Sequence, residues 1–230
     1  MKNVIRINLI FLFFLVFSFA YGQSTRTVGN FNKVSASSSV KVKLIKSNEQ
    51  KVEFKMTRGN EEDLITEVKN NKLIIKIKSS MFNWKSNGKA NVKVYYTDLN
   101  SVEASAGATV KGDELIHAEE MNVEVSSGAT VDVEVEAKNI DAEVSSGARL
   151  ALEGSAEYGD FEVSSGGNLN AADMICDKVS AEASSGGNLK VHANKKLKAD
   201  ASSGGNIRYK GSAEHTNTDS GWSGSISRMK

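Results

Sequence analysis

Val125-Ser126-Ser127-Gly128-Ala129 has five counterparts in this chain, and together they decide its fold. The others read Ala104-Ser105-Ala106-Gly107-Ala108, Val144-Ser145-Ser146-Gly147-Ala148, Val163-Ser164-Ser165-Gly166-Gly167, Ala183-Ser184-Ser185-Gly186-Gly187 and Ala201-Ser202-Ser203-Gly204-Gly205. The six glycines, Gly107, Gly128, Gly147, Gly166, Gly186 and Gly204, follow one another at 21, 19, 19, 20 and 18 residues. A near-constant period of this length is the mark of a repeat architecture.

Alignment on the glycine shows what one repeat is. Five residues before it stand Val102, Val123, Ala142, Phe161, Ala181 and Ala199; three before, Ala104, Val125, Val144, Val163, Ala183 and Ala201; three after, Val110, Val131, Leu150, Leu169, Leu189 and Ile207. Side chains of a strand alternate between faces, so these columns share one face, and the small residues directly before and after the glycine are expected on it too. One repeat cannot bury such a face alone. Stacked copies make continuous columns of Val, Leu and Ala inside a coil, so the chain is read as all-β, a parallel β-solenoid with rungs of about 18–21 residues. Each glycine is expected at a rung corner where a Cβ would be strained or would crowd the wall.

Two outward columns are the candidate binding surface. Four residues before each glycine stand Glu103, Glu124, Glu143, Glu162, Glu182 and Asp200. At a spacing of about 4.8 Å, neighbouring like charges repel by roughly 1 kcal/mol even in water. Splayed side chains, salt and balancing cations such as Lys111, Lys190 and Arg208 relieve this on one reading. A ladder of divalent cations relieves it on the other, but one carboxylate per rung falls short of the six to eight oxygens Ca²⁺ takes. The second column, two residues after the glycine, is Thr109, Thr130, Arg149, Asn168, Asn188 and Asn206. Its three asparagines read as an amide ladder bonded along the stack, or as amides offered, with the serines, to an extended glycan.

Upstream, Lys2 and Arg6 precede the apolar run Leu9 to Phe19, and Ala20-Tyr21-Gly22 precedes Gln23. This is the pattern of a secretory signal peptide over 1–22, cleaved between Gly22 and Gln23, with an uncleaved anchor helix as the competing reading. Cleavage would leave no transmembrane segment, and without Lys2 and Arg6 the formal charge moves from +1 to −1. No basic stripe invites nucleic acid. Cys176 is the only cysteine and no proline is present, so stability must come from unbroken ladders rather than disulfides.

Residues 23–100 form an N-terminal β part of the solenoid, and 101–230 the Ser-Ser-Gly repeats with a C-terminal cap. Phe31 to Leu44 alternates like a first rung that starts the sheet, with Ser39 in the place of glycine. Lys51 to Met56, Lys72 to Lys78 and Asn91 to Tyr96 read as strands, Asn60 to Val68 as a short helix or turn, and Lys69-Asn70-Asn71 as a tight turn. Ser79 to Lys89, with Met81, Phe82 and Trp84, reads as a loop or local cap. Thr216 to Lys230 closes the open end of the stack or mediates end-to-end contact.

This order, with Glu-Glu-Asp-Leu-Ile-Thr-Glu-Val at 61–68 and the glycine-centred repeats, resembles the head GIN domain of putative autotransporter adhesins over nearly the whole exported chain. The resemblance implies a β-helical protein exported by a Gram-negative type of cell, to the periplasm, the outer-membrane surface or the medium. It brings no catalytic or binding motif with it.

An enzyme would need a localised constellation that breaks the repeat. His117, His192 and His215 fall at different offsets from the nearest glycine, and the acidic column singles out no acid and base. The repeated Ser-Ser-Gly is not a nucleophile elbow. The sequence therefore reads as non-enzymatic, with no metal or cofactor. It is either an adhesin or binding module that presents polar ladders to an extracellular glycan or a cell-envelope protein, or a structural envelope element without a specific ligand. Its oligomeric state is left open.

Overall fold

The computed structural model describes residues 24–78 and 88–229. The chain runs through β1 (Ser24–Thr27), β2 (Lys33–Ser37), β3 (Val40–Lys46), β4 (Lys51–Arg58), β5 (Leu64–Lys69), β6 (Lys72–Ile77), β7 (Lys89–Tyr96), β8 (Ser101–Ser105) and β9 (Thr109–Gly112). The repeat region follows as β10 (Ile116–Val125), β11 (Thr130–Val144), β12 (Arg149–Val163), β13 (Asn168–Ala183), β14 (Asn188–Ala201), β15 (Asn206–Lys210), β16 (His215–Ser220) and β17 (Ser225–Arg228). It is a parallel β-solenoid of about seven turns with rungs near 19 residues. The signal-peptide reading of 1–22, its cleavage site at Gly22 and Gln23, and the loop with Met81, Phe82 and Trp84 lie outside the described residues.

The apolar columns stack as their parity requires. Val123 lies beside Ala142, Ala142 beside Phe161 and Phe161 beside Ala181, with Val125, Val144, Val163 and Ala183 alongside. All are buried, as are Leu150, Leu169 and Leu189, in one hydrophobic cluster reaching from Phe31 to Ile207. Alternation from the glycine failed at one place. The residue directly before it was expected inside, yet Ser127, Ser146 and Ser165 are exposed, while Ala129, Ala148 and Gly167 after it are buried. The cause is the corner itself. The residue before each glycine has φ of 48 to 52° and the glycine 69 to 79°, so both central residues of the turn are left-handed. The N–H of Ala129 closes the turn on Ser126 O at 3.0 Å, as in the primed turns, and the following residue points inward again.

These corners are open. A Cβ built on Gly107, Gly128, Gly147, Gly166 or Gly186 meets no atom within 4 Å, so the repeated glycine answers to backbone conformation and not to crowding. Ser39, at φ 58°, already holds the same place in the rung Val34–Leu44. Gly147→Asn should therefore stay within about 1 kcal/mol of the parent, because Asn tolerates the left-handed region, whereas the β-branched Gly147→Val should lose roughly 2 kcal/mol. Urea unfolding of the two variants checks this, and equal midpoints would refute it.

The N-terminal end differs from expectation in two ways. The rung of β2 and β3 does not start the sheet, since β6 and β7 stack outside it in parallel, with Lys72 beside Lys33 and Ala90 beside Val40. Of Asn60 to Val68, read as a short helix or turn, only Glu61–Asp63 forms a 3-10 turn; the rest is strand β5, which pairs antiparallel with β6 through the left-handed Asn70 and Asn71. Leu64 is buried there, and that burial favours a hairpin over a free helical turn. Antiparallel β4 and β1 finish this end against β7. At the other end β16 and β17 add one more level in parallel, with Thr216 and Thr218 beside the buried Leu197 and Ala199. Polar residues in the inward columns make the outermost described level wettable, as terminal repeats of a solenoid must be.

Candidate functional site

Parallel pairing sets Glu103, Glu124, Glu143, Glu162, Glu182 and Asp200 side by side on β8, β10, β11, β12, β13 and β14. Asp219 on β16 continues the ladder, and sequence reasoning missed it. Its corner reads Gly221-Trp222-Ser223-Gly224, without the Ser-Ser-Gly phrase that anchored the alignment. The serines two residues further on, Ser145, Ser164, Ser184 and Ser202, line a shallow groove of about 150 Å³ with Glu143, Glu162, Glu182 and Asp200. This wall is flat and rich in oxygen acceptors.

Its charge is only partly offset. Lys72 bridges to Glu103, and Lys198 approaches Glu182 at 4.0 Å. The cations expected to balance the ladder lie beyond the corner: Lys111 pairs with Asp132 at 3.2 Å, and Lys190 stacks beside Arg208. Burial, then Glu143 and Glu182, push the Glu162 carboxyl above its ordinary value; burial, then Glu103 and Glu143, do the same to Glu124. Such a carboxyl is harder to ionise folded than unfolded. Its charge therefore costs stability near neutral pH, and the cost disappears as pH falls through the folded pKa. Glu162→Gln should accordingly raise the melting temperature slightly near pH 7, by the equivalent of less than ~1 kcal/mol at this exposed site, and the gain should vanish toward pH 4. Thermal melts of both proteins across that range test the sign, and a gain that grows on acidification would contradict it.

Asn168, Asn188 and Asn206 stand in register on β13, β14 and β15, across the corner from the acidic ladder. The Asn188 amide donates to Gly186 O at 3.3 Å, and among the described residues no amide-to-amide bond joins the three. Five corner glycines join successive levels: the N–H of Gly107, Gly128, Gly147, Gly166 and Gly186 each donates to the carbonyl of the residue before the next glycine, at 3.1 to 3.2 Å. His117 lies 3.5 Å from Glu136 on the surface, and among the described residues no three His, Cys, Asp or Glu side chains converge as a metal-binding set. No described helix is long and apolar enough to cross a membrane.

Sequence reasoning also missed a second polar column, two residues before the ladder, and the exposed Tyr158 beside it. A signal was available. Residues 23–100 hold 15 Lys and Arg against 7 Asp and Glu, a net +8, while 101–230 hold 12 against 21, a net −9. The near-neutral total hides a strongly divided rod.

A family model described as "Putative auto-transporter adhesin, head GIN domain" matches residues 30–213. Similar solved structures include a putative adhesin from Bacteroides fragilis, 19% identical with a TM-score of 0.79, covering 90% of this chain and 96% of that one. Another, from Parabacteroides merdae, is 20% identical with a TM-score of 0.72, over 92% and 98%. A protein from Parabacteroides distasonis described as a putative lipid binding protein is 17% identical with a TM-score of 0.66, over 92% and 98%. At these identities the likeness is one of fold. None of the curated proteins matches the chain.

Proposed function

We propose, from the premise that this chain belongs to the putative auto-transporter adhesin head GIN domain family, that it is an exported, non-enzymatic binding module of the cell envelope. Its polar walls engage an extracellular glycan or an envelope protein. The observation that carries this reading is the continuous wall of Glu, Asp and Ser oxygens from Glu103 to Asp200, repeated at every rung and only shallowly grooved. Regular flat walls match extended polymers, whereas small molecules need concave pockets. Export rests on the apolar run before Gly22.

A glycan array probed with the purified protein, beside the triple variant Glu143→Gln, Glu162→Gln and Glu182→Gln, tests the reading. Binding to a defined set of oligosaccharides that the variant loses is the expected result. If the array stays blank and a pull-down from envelope fractions retains nothing specific, the protein is a structural envelope element instead.

A further inference from the structure

The acidic wall carries a second outward column, two residues earlier in each rung. Lys72 lies beside Lys33, Lys33 beside Ser101, Ser101 beside Asn122, Asn122 beside Asp141 and Asp141 beside Asp160. At successive levels the column therefore reads Lys, Lys, Ser, Asn, Asp, Asp. All six residues line a single groove of about 680 Å³. Among the described residues Lys33, Asp141 and Asp160 form no ion pair, and Lys72 is engaged only by Glu103 of the neighbouring column. Burial, then Asp160 and Glu143, hold the Asp141 carboxyl above its ordinary value, so Lys33, Asp141 and Asp160 lack compensation within their own chain. Tyr158, one of three large apolar side chains left exposed among the described residues, lines the same groove.

We propose that this groove is the contact face of a symmetric antiparallel dimer of the chain. A twofold axis parallel to the strands, between the levels of Ser101 and Asn122, keeps the position along each strand and reverses the order of the rungs. It sets Lys72 of one copy against Asp160 of the other and Lys33 against Asp141, each pair occurring twice, while the buried Ser101 and the partly buried Asn122 lie next to the axis and bring no charge to it. Each copy has the same rung spacing of about 4.8 Å, so every level meets its opposite without drift. A second copy meets that condition by construction. A parallel arrangement would set lysine on lysine and aspartate on aspartate, which costs several kcal/mol against the correct partner.

In the adjoining column the same operation brings Glu103 near Glu124, but Lys72 already bridges to Glu103. Further out in that column Ile74 and Ser35, neither of them acidic, face Glu162 and Glu143. A closed pair with one self-complementary patch is the commonest form of oligomer. The dimer covers the acidic ladder from Glu103 to Glu162 and leaves Glu182, Asp200 and the asparagine ladder free, so in the dimer a polymer reaches only that remaining stretch of the wall.

Sedimentation of the protein purified after export, at low ionic strength, tests the dimer. The parent should sediment as a dimer that dissociates on addition of salt. Lys33→Asp with Lys72→Asp, and separately Asp141→Lys with Asp160→Lys, should each weaken the dimer by at least about tenfold while circular dichroism shows both still folded. An equimolar mixture of the two variants should restore it, because each then supplies the charge the other lacks. A monomeric parent would overturn the proposal. So would charge-swapped variants that dimerise like the parent, or a mixture that stays monomeric.

Discussion

Gly154→Ala should be among the most damaging single methyls that can be added to this rod. Gly154 sits in β12 beside Val135 of β11, with φ at +112°, a conformation essentially closed to side chains. A Cβ there would also be driven into the carbonyl oxygen of Val135, a backbone atom held in the ladder between rungs. Strain of about 1–3 kcal/mol adds to an overpacking cost of similar size, for a total of roughly 3–5 kcal/mol. In a domain of this length each kcal/mol moves the melting temperature by about 2–4 °C, so a fall on the order of 10 °C is expected. A variant that melts within 2 °C or so of the parent would show that the rungs are not held at this approach. The contrast with Gly147 is informative: the corner glycine is conspicuous in the repeat and tolerant, whereas Gly154 is inconspicuous and constrained by its neighbour.

Phe161→Ala should cost about as much for the opposite reason. Phe161 is fully buried and is the one aromatic residue in a column where Ala142 and Ala181 flank it above and below. Its ring fills the space beside Gly159, where an added Cβ would lie 2.5 Å from the ring and 3.0 Å from Cys176 Sγ. Two alanines and a glycine cannot expand into the vacancy, so the cavity would persist and the loss should reach about 3–5 kcal/mol. Phe161→Leu, which keeps most of the volume, should lose less than half of that. Urea midpoints for the two variants decide it, and equal losses would mean that ring shape matters more than volume.

The interior of the repeats was legible because a solenoid writes its core into the sequence as columns. Val125, Val144 and Val163 could be placed from parity alone, since each faces the same surroundings one rung on. Parity fails where the backbone leaves the extended region. The two left-handed residues at each corner turned Ser127 outward, and nothing in a hydrophobic pattern reports φ. Leu64, Ile65 and Val68 misled for a related reason: their spacing suits a helix, but the partner that makes them a strand, β6, is brought back by the Asn70-Asn71 turn. The acidic ladder was readable from Glu103 to Asp200 because the Ser-Ser-Gly phrase supplied its frame, and it was lost at Asp219 where that frame dissolves. The Lys-to-Asp column was hidden by the folding path. The rung of β6 and β7 lies outside that of β2 and β3, so Lys72 precedes Lys33 in space although it follows it in sequence.

Because successive rungs pair in parallel, their backbone hydrogen bonds point along the rod, each level bonded to the next. A load applied between the two ends therefore pulls on these ladders one after another instead of shearing them all together. Each level that yields replaces about 4.8 Å of folded height with roughly 60–70 Å of extended chain, given some 19 residues per rung at 3.3–3.6 Å each. Under tension such a rod would behave less like a strut than like a coiled tether, lengthening in steps at a force set by one rung at a time.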